Sequence, residues 1–227
     1  MHRLILSLAV FLFPLTTGCV IPEFQDPLSD ANSTIIDPRV IGYWQQFEMD
    51  RNGEEKSTAD DDVFHNSAIF GKHADLEDSM IIARTVLGDD GTVEHESRVA
   101  KATKLGDHHY FSWILKDDEV GKDDSEKAAT LQPPVFYITR YSLSDNNEKL
   151  TMYLLDPEQI VEALQEGRLA GVVEEEVKIK NGKETSQVTR IVIESTTGEL
   201  RDFFLKFSDT LFNTDEPIYY RKRTPPK

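Results

Sequence analysis

The chain has 227 residues, of which 39% are hydrophobic and 29% charged, enough apolar content for one core of ordinary domain size. Its 41 Asp and Glu outnumber its 25 Lys and Arg, for a formal net charge of −16. That balance argues against nucleic acid as a partner, since nucleic-acid binding needs clustered basic residues, and against adhesion of the domain surface to an anionic membrane. A single cysteine leaves no intramolecular disulfide.

The chain starts with a short basic segment, Met1-His2-Arg3, followed by an apolar run from Leu4 to Leu15 and the small residues Thr16, Thr17 and Gly18. This is the layout of a secretory signal, and the run is shorter than the roughly 20 residues a spanning helix needs. Leu15-Thr16-Thr17-Gly18-Cys19 resembles the lipobox of bacterial lipoproteins. The resemblance implies that residues 1–18 are a signal peptide and that Cys19 becomes the mature N-terminus. Cys19 would then carry a diacylglycerol thioether and a further acyl chain (palmitate-like) on its amine, and so tether the protein to a membrane. Several acyl chains anchor stably where one is marginal. Val20, rather than an aspartate, follows the cysteine; in a Gram-negative host this implies the outer membrane, facing the periplasm.

Residues 19–38 hold Pro22, Pro27 and Pro38 among Asp, Ser and Asn, with little periodicity, and read as a flexible tether. The domain is expected over 39–227. Val40 to Phe47 reads as its first strand, and Arg51-Asn52-Gly53-Glu54 as a hairpin turn. Met80 to Leu87 and Val93 to Thr103 are strand-like, separated by the turn signal Asp89-Asp90-Gly91. After Gly106-Asp107, the residues His109, Phe111, Trp113 and Leu115 share one face and His108, Tyr110 and Ser112 the other, the period-2 pattern of a strand. Lys116 to Lys127 is an acidic loop. Val135 to Leu143 alternates again, turns at Asp145-Asn146-Asn147 and returns over Lys149 to Leu155 as a hairpin.

Asp156-Pro157 starts a helix that Gly167 ends, with Asp156 as cap and Pro157 in the first turn. Val172 to Lys180 and Gln187 to Glu194 form a hairpin about Asn181-Gly182. Thr196-Thr197-Gly198-Glu199 carries the signature of a capping box, and Leu200, Phe203, Phe204, Phe207 and Leu211 follow at helical spacing. A closing strand is expected over Pro217 to Arg221. Some nine strands joined mostly by short turns, with two helices, predict a mainly β chain folded as an antiparallel β-barrel of roughly 8–10 strands.

Gly42-Tyr43-Trp44 on the first strand and Arg221 or Arg223 at the far end resemble the lipocalin-like group, the calycins. By that resemblance Trp44 plugs one end of the barrel and Arg221 packs over its ring, a cation–π contact. The pattern from Tyr141 through the Asp156-Pro157 helix to Phe212 and Arg221 is similar to a group of lipocalin-like bacterial lipoproteins. That resemblance brings no known activity; because a small barrel can enclose one ligand or be filled by its own side chains, the expectation is a binding module for a small apolar ligand or, alternatively, an envelope protein with a filled barrel that binds another protein.

Residues for chemistry are sparse. P-loop, G-x-S-x-G and HExxH patterns are missing, so no catalytic residues, cofactor or metal ligands are assigned and an enzyme is not expected. His65, His73, His95, His108 and His109 match no standard metal-site spacing. Asp60-Asp61-Asp62, Asp89-Asp90, Asp117-Asp118 and Asp123-Asp124 read as solvated loops rather than calcium sites. The candidate ligand-binding residues are His109, Phe111, Trp113, Tyr137 and Tyr141, aromatic positions expected to line the barrel interior.

Overall fold

The structure is a computed structural model, and it describes residues 20–30, 32–49, 55, 66–87, 92–115, 134–180 and 183–225. Cys19 and the signal segment, His65, the four aspartate clusters, and the expected turns at 51–54, 89–91 and 181–182 lie outside these residues, as does the 116–127 loop.

The strands of the barrel are β3 (Gly42–Phe47), β4 (Asn66–Lys72), β5 (Met80–Leu87), β6 (Val93–Leu105), β7 (His108–Leu115), β8 (Val135–Leu143), β9 (Lys149–Leu154) and β12 (Ile218–Arg223). Each pairs antiparallel with the next in chain order, and β12 pairs with both β9 and β3, which closes the circuit. The chain is therefore mainly β, with a closed eight-stranded antiparallel barrel at its centre. Short strands β1 (Glu23–Phe24) and β2 (Thr34–Ile35), the hairpin β10 (Gly171–Lys180) and β11 (Lys183–Ile193), and the helices α1 (Pro157–Gln165) and α2 (Thr197–Phe207) complete the described elements.

The insertion between β9 and β12 does not break the barrel. It forms a layer on its outside. The outer face of β7 and β8 presents Tyr110, Phe136 and Ile138, which pack with Ile160, Val161 and Ala163 of α1, Leu200, Phe203 and Phe204 of α2, and Val188 and Ile191 of β11. Both faces of β7 are thus buried, and the two faces feed two separate cores: this outer one, and an inner one built on Trp44, Phe70, Phe111, Trp113, Tyr141 and Tyr220.

Local chemistry sets both helix starts. The Asp156 side chain accepts from the Glu158 amide at 2.9 Å, and Pro157 occupies the first turn. The Thr196 hydroxyl and the Glu199 carboxylate form the expected reciprocal capping box. Gly171 begins β10 at φ +155, and a Cβ there would meet the Val192 carbonyl oxygen at 2.1 Å; only glycine lets the chain pass from α1 back onto the sheet.

Residues 20–38 correct the expected tether. Phe24 is fully buried, pairs with Phe136 of β8 and, in parallel, with Ile193 of β11. Leu28 is fully buried too, and its amide donates to Ser112 Oγ at 3.0 Å. β2 adds to β6. A pair of isolated apolar residues in a proline-rich stretch carries no periodicity, yet each fills a slot between the barrel and its outer layer.

Candidate functional site

The barrel has two unlike ends. At one, residues 37–40 run beneath the strands and seal it. Trp44 is fully buried and its indole N–H donates to the Val40 carbonyl at 2.7 Å. Its ring meets the edge of Phe70 at 6.5 Å and 76°. Trp44 thus ties residues 37–40 to the inner core at this end. The cation over it is Lys222, whose Nζ lies 5.2 Å from the ring centroid, not Arg221. The register explains the correction. Trp44 faces Lys222 across β3–β12, so the two share the inner face, whereas Arg221 faces Gln45 and falls on the outer face. There Arg221 lies over Phe47 at 5.3 Å and pairs with Glu55.

An ionic network built on the buried Asp37 sits beside Trp44. Asp37, 3% exposed, receives Arg39 Nε at 2.8 Å and Nη2 at 2.6 Å, the Arg39 amide at 3.0 Å and the Tyr141 hydroxyl at 3.0 Å. Burial pushes the Asp37 carboxyl up, but these donors more than offset it and hold it below the ordinary carboxylate value. His109 Nε2 lies 2.9 Å from Arg39 Nη2. Burial, and then the Arg39 charge, keep the imidazole below its ordinary value, so it is the neutral partner of the guanidinium. Outside this network a polar cleft of about 440 Å³ is lined by Arg39, His108, His109, Arg140 and Tyr141 among others. His108 points the other way from His109, toward Asp209 at 3.4 Å.

The interior between the ends is filled with rings. Phe111 stacks on Tyr141 (4.3 Å, 17°), contacts Trp113 (5.4 Å) and meets Phe70 (5.9 Å); Trp113 stacks on Tyr137 (5.6 Å, 5°). The five candidate ligand residues therefore share one inner face, as expected, but do not form one site. His109 and Tyr141 belong to the sealed end, Phe111 is core, and Trp113 and Tyr137 reach the opposite end. Four residue steps along the strand separate His109 from Trp113, roughly 13 Å.

At that opposite end the interior keeps a cavity of about 60 Å³ lined by Arg84, Trp113, Tyr137, Thr139, Met152, Leu154, Ile218 and Tyr220. Thr139 Oγ1 accepts from the Trp113 indole at 2.8 Å. The Tyr137 and Tyr220 hydroxyls face this space with no hydrogen-bond partner among the described residues, and burial pushes both phenols up, so they are O–H donors. Above them, Arg84 and Arg98 share one carboxylate, each 3.1 Å from Glu96. Arg84 follows Met80 and Ile82 on the inner face of β5, while Glu96 and Arg98 precede Ala100 and Ala102 on the inner face of β6. The two guanidiniums share Glu96, and Glu94, next outward on the same face of β6 and exposed, brings a second carboxylate to the rim.

The larger apolar space lies beside this mouth. At β8 the sheet forks. Residues from Thr139 onward pair with β9, whereas Phe136 pairs with β1. The seam between β1 and β9 opens into a groove of about 310 Å³ lined by Val20, Ile21, Pro22, Tyr137, Ile138, Leu154, Leu155, Asp156, Pro157 and Asn213. Tyr137 and Leu154 are walls of both the groove and the barrel cavity. Arg84, Glu96, Arg98, Tyr220 and the groove are the parts that sequence reasoning missed. The inward parity of Arg84 on Met80 to Leu87 was the available signal.

Among the described residues no helix is long and apolar enough to cross a membrane, and no three His, Cys, Asp or Glu gather in a metal-binding cluster. No family model matches the chain, and no match is found among curated proteins or solved structures.

Proposed function

We propose that this protein is a lipid-anchored binding module for a single-chain amphiphile with an anionic head. The groove at the seam carries the reading: about 310 Å³ of mostly apolar wall, at the lower end of the range for small-molecule sites. The barrel interior is too full for an apolar tail. The tail therefore lies in the groove and the head reaches past Leu154 to Arg84, Tyr137 and Tyr220, where charge-assisted hydrogen bonds to a carboxylate are the strong kind. Val20 and Ile21 of the groove directly follow Cys19. If Cys19 is acylated as the lipobox implies, the groove opens next to the membrane from which such a ligand would come. No catalytic role is proposed.

Calorimetric titration of the full chain carrying Cys19→Ser, in mild detergent, tests this with dodecanoate and 1-dodecanol. The carboxylate is expected to bind at least about tenfold tighter than the alcohol, and Arg84→Gln to erase that difference. Equal affinity for both, or an R84Q variant that still discriminates, contradicts the reading. The filled interior also supports an alternative, an envelope protein that binds another protein, and failure of both ligands to bind would favour it.

A further inference from the structure

Strand β10 ends the sheet. Its inner edge pairs with β11 over its whole length, while α1 reaches only its start, where Leu164 lies against Gly171. From Glu174 onward no strand among the described residues pairs with the outer edge. Such an edge offers a row of free N–H and C=O groups, and proteins usually blunt it with charges. Here the charges are sorted along the strand: Glu174, Glu175 and Glu176 come first, Lys178 and Lys180 after, with Val177 between. Val177 and Ile179 are 63% and 73% exposed.

We infer that β10 pairs antiparallel with β10 of a second copy of this chain, about a twofold axis through Val177. The axis runs perpendicular to the sheet, so residues facing each other share a face and the register moves in steps that keep that parity. With Val177 opposite Val177, Glu176 faces Lys178 twice and Glu174 takes the register position opposite Lys180. Moving the axis to residue 176 sets Glu176 against Glu176; moving it to 178 sets Lys178 against Lys178. Directly opposed like charges destabilise a strand pair and opposed unlike charges stabilise it. The strand therefore selects one register with itself. Glu176 and Lys178 are exposed and lie 3.6 Å apart within one strand, so exchange across the axis moves neither charge from its face. The two Val177 side chains, now exposed, meet at the centre. A strand pair of this length is small beside a standard interface, so association is weak in dilute solution and stronger for copies held on one surface.

Disulfide trapping tests the register. The full chain with Cys19→Ser has no thiol left. Val177→Cys added to it places two cysteines across the axis within disulfide range. Ser186→Cys, on β11 opposite Val177 in the hairpin, places them one strand further out on each side. Under mild oxidation the V177C chain is expected to form covalent dimers at least tenfold faster than the S186C chain. Adding E176K should slow the V177C reaction about tenfold, and E176K with K178E should restore it. Equal trapping at 177 and 186, no dimer at 177, or a rate indifferent to E176K would overturn the inference.

Discussion

Trp44→Ala is expected to lower the unfolding free energy by about 3–5 kcal/mol, the usual cost of deleting a large buried aromatic. Native domains have only about 5–15 kcal/mol in total, so this one side chain decides whether the sealed end holds. Trp44 is fully buried, anchors residues 37–40 through its bond to Val40, and supports Phe70. Denaturant unfolding measures the loss. Trp44→Phe should cost less, because it keeps most of the apolar contact and gives up the indole N–H. Lys222→Met removes a half-exposed cation–π contact worth about 0.5–1 kcal/mol, and should alter the fluorescence of Trp44. Arg221→Met should leave that signal unchanged, since Arg221 lies on the other face of β12, over Phe47.

Asp37→Asn is expected to cost about 1.5–3 kcal/mol at neutral pH, the range for hydrogen bonds to a charged group. The variant keeps the shape of the side chain but weakens its bonds to Arg39 and Tyr141. The pH dependence carries a second signature. A group held below its ordinary value stabilises the fold fully above that value, and the contribution is lost as pH falls through the depressed one. His109 is held below its ordinary value of 6.5, so the first loss of stability begins as pH falls beneath 6.5. Asp37 is held below 3.8, so its share persists to lower pH and disappears only in the acid limb. Unfolding free energy measured from pH 8 to pH 3 should therefore fall in two stages. Asp37→Asn should shrink the second, to which Asp30 and Glu199 also contribute, and deepen the first, because the Asp37 charge offsets part of the depression of His109.

Much of the barrel was legible because its strands repeat at period 2 and its turns are short. Leu143 faces Leu150 in the hairpin read from Tyr141 to Leu155, and Thr196 with Glu199 announced α2 in four residues. β4 was not read, because only Ala68 and Phe70 face inward from it and Ile69 is exposed. The packing of Phe24 and Leu28 was invisible for a different reason: both are held by contacts to residues more than 80 positions away. The candidate site follows the same division. That His109, Phe111 and Trp113 share a face follows from spacing alone. Which end of the barrel each reaches depends on the stagger of the strands. The exchange of Arg221 for Lys222 over Trp44 turns on a register offset of one residue. The groove exists only because β8 changes partners partway along, which no local pattern records.

The two tryptophans of the chain allow the most direct test of where the ligand sits. Trp113 stacks on Tyr137, a wall of the seam groove, while Trp44 lies at the sealed end. Titration with 2-bromododecanoate, whose bromine sits beside the carboxylate and quenches indole at short range, separates them in Trp44→Phe and Trp113→Phe chains that both carry Cys19→Ser. Saturable quenching of Trp113, with Trp44 unaffected, is the predicted result. Equal quenching of both tryptophans, or none in either, would contradict a ligand site at the seam and mouth of the barrel.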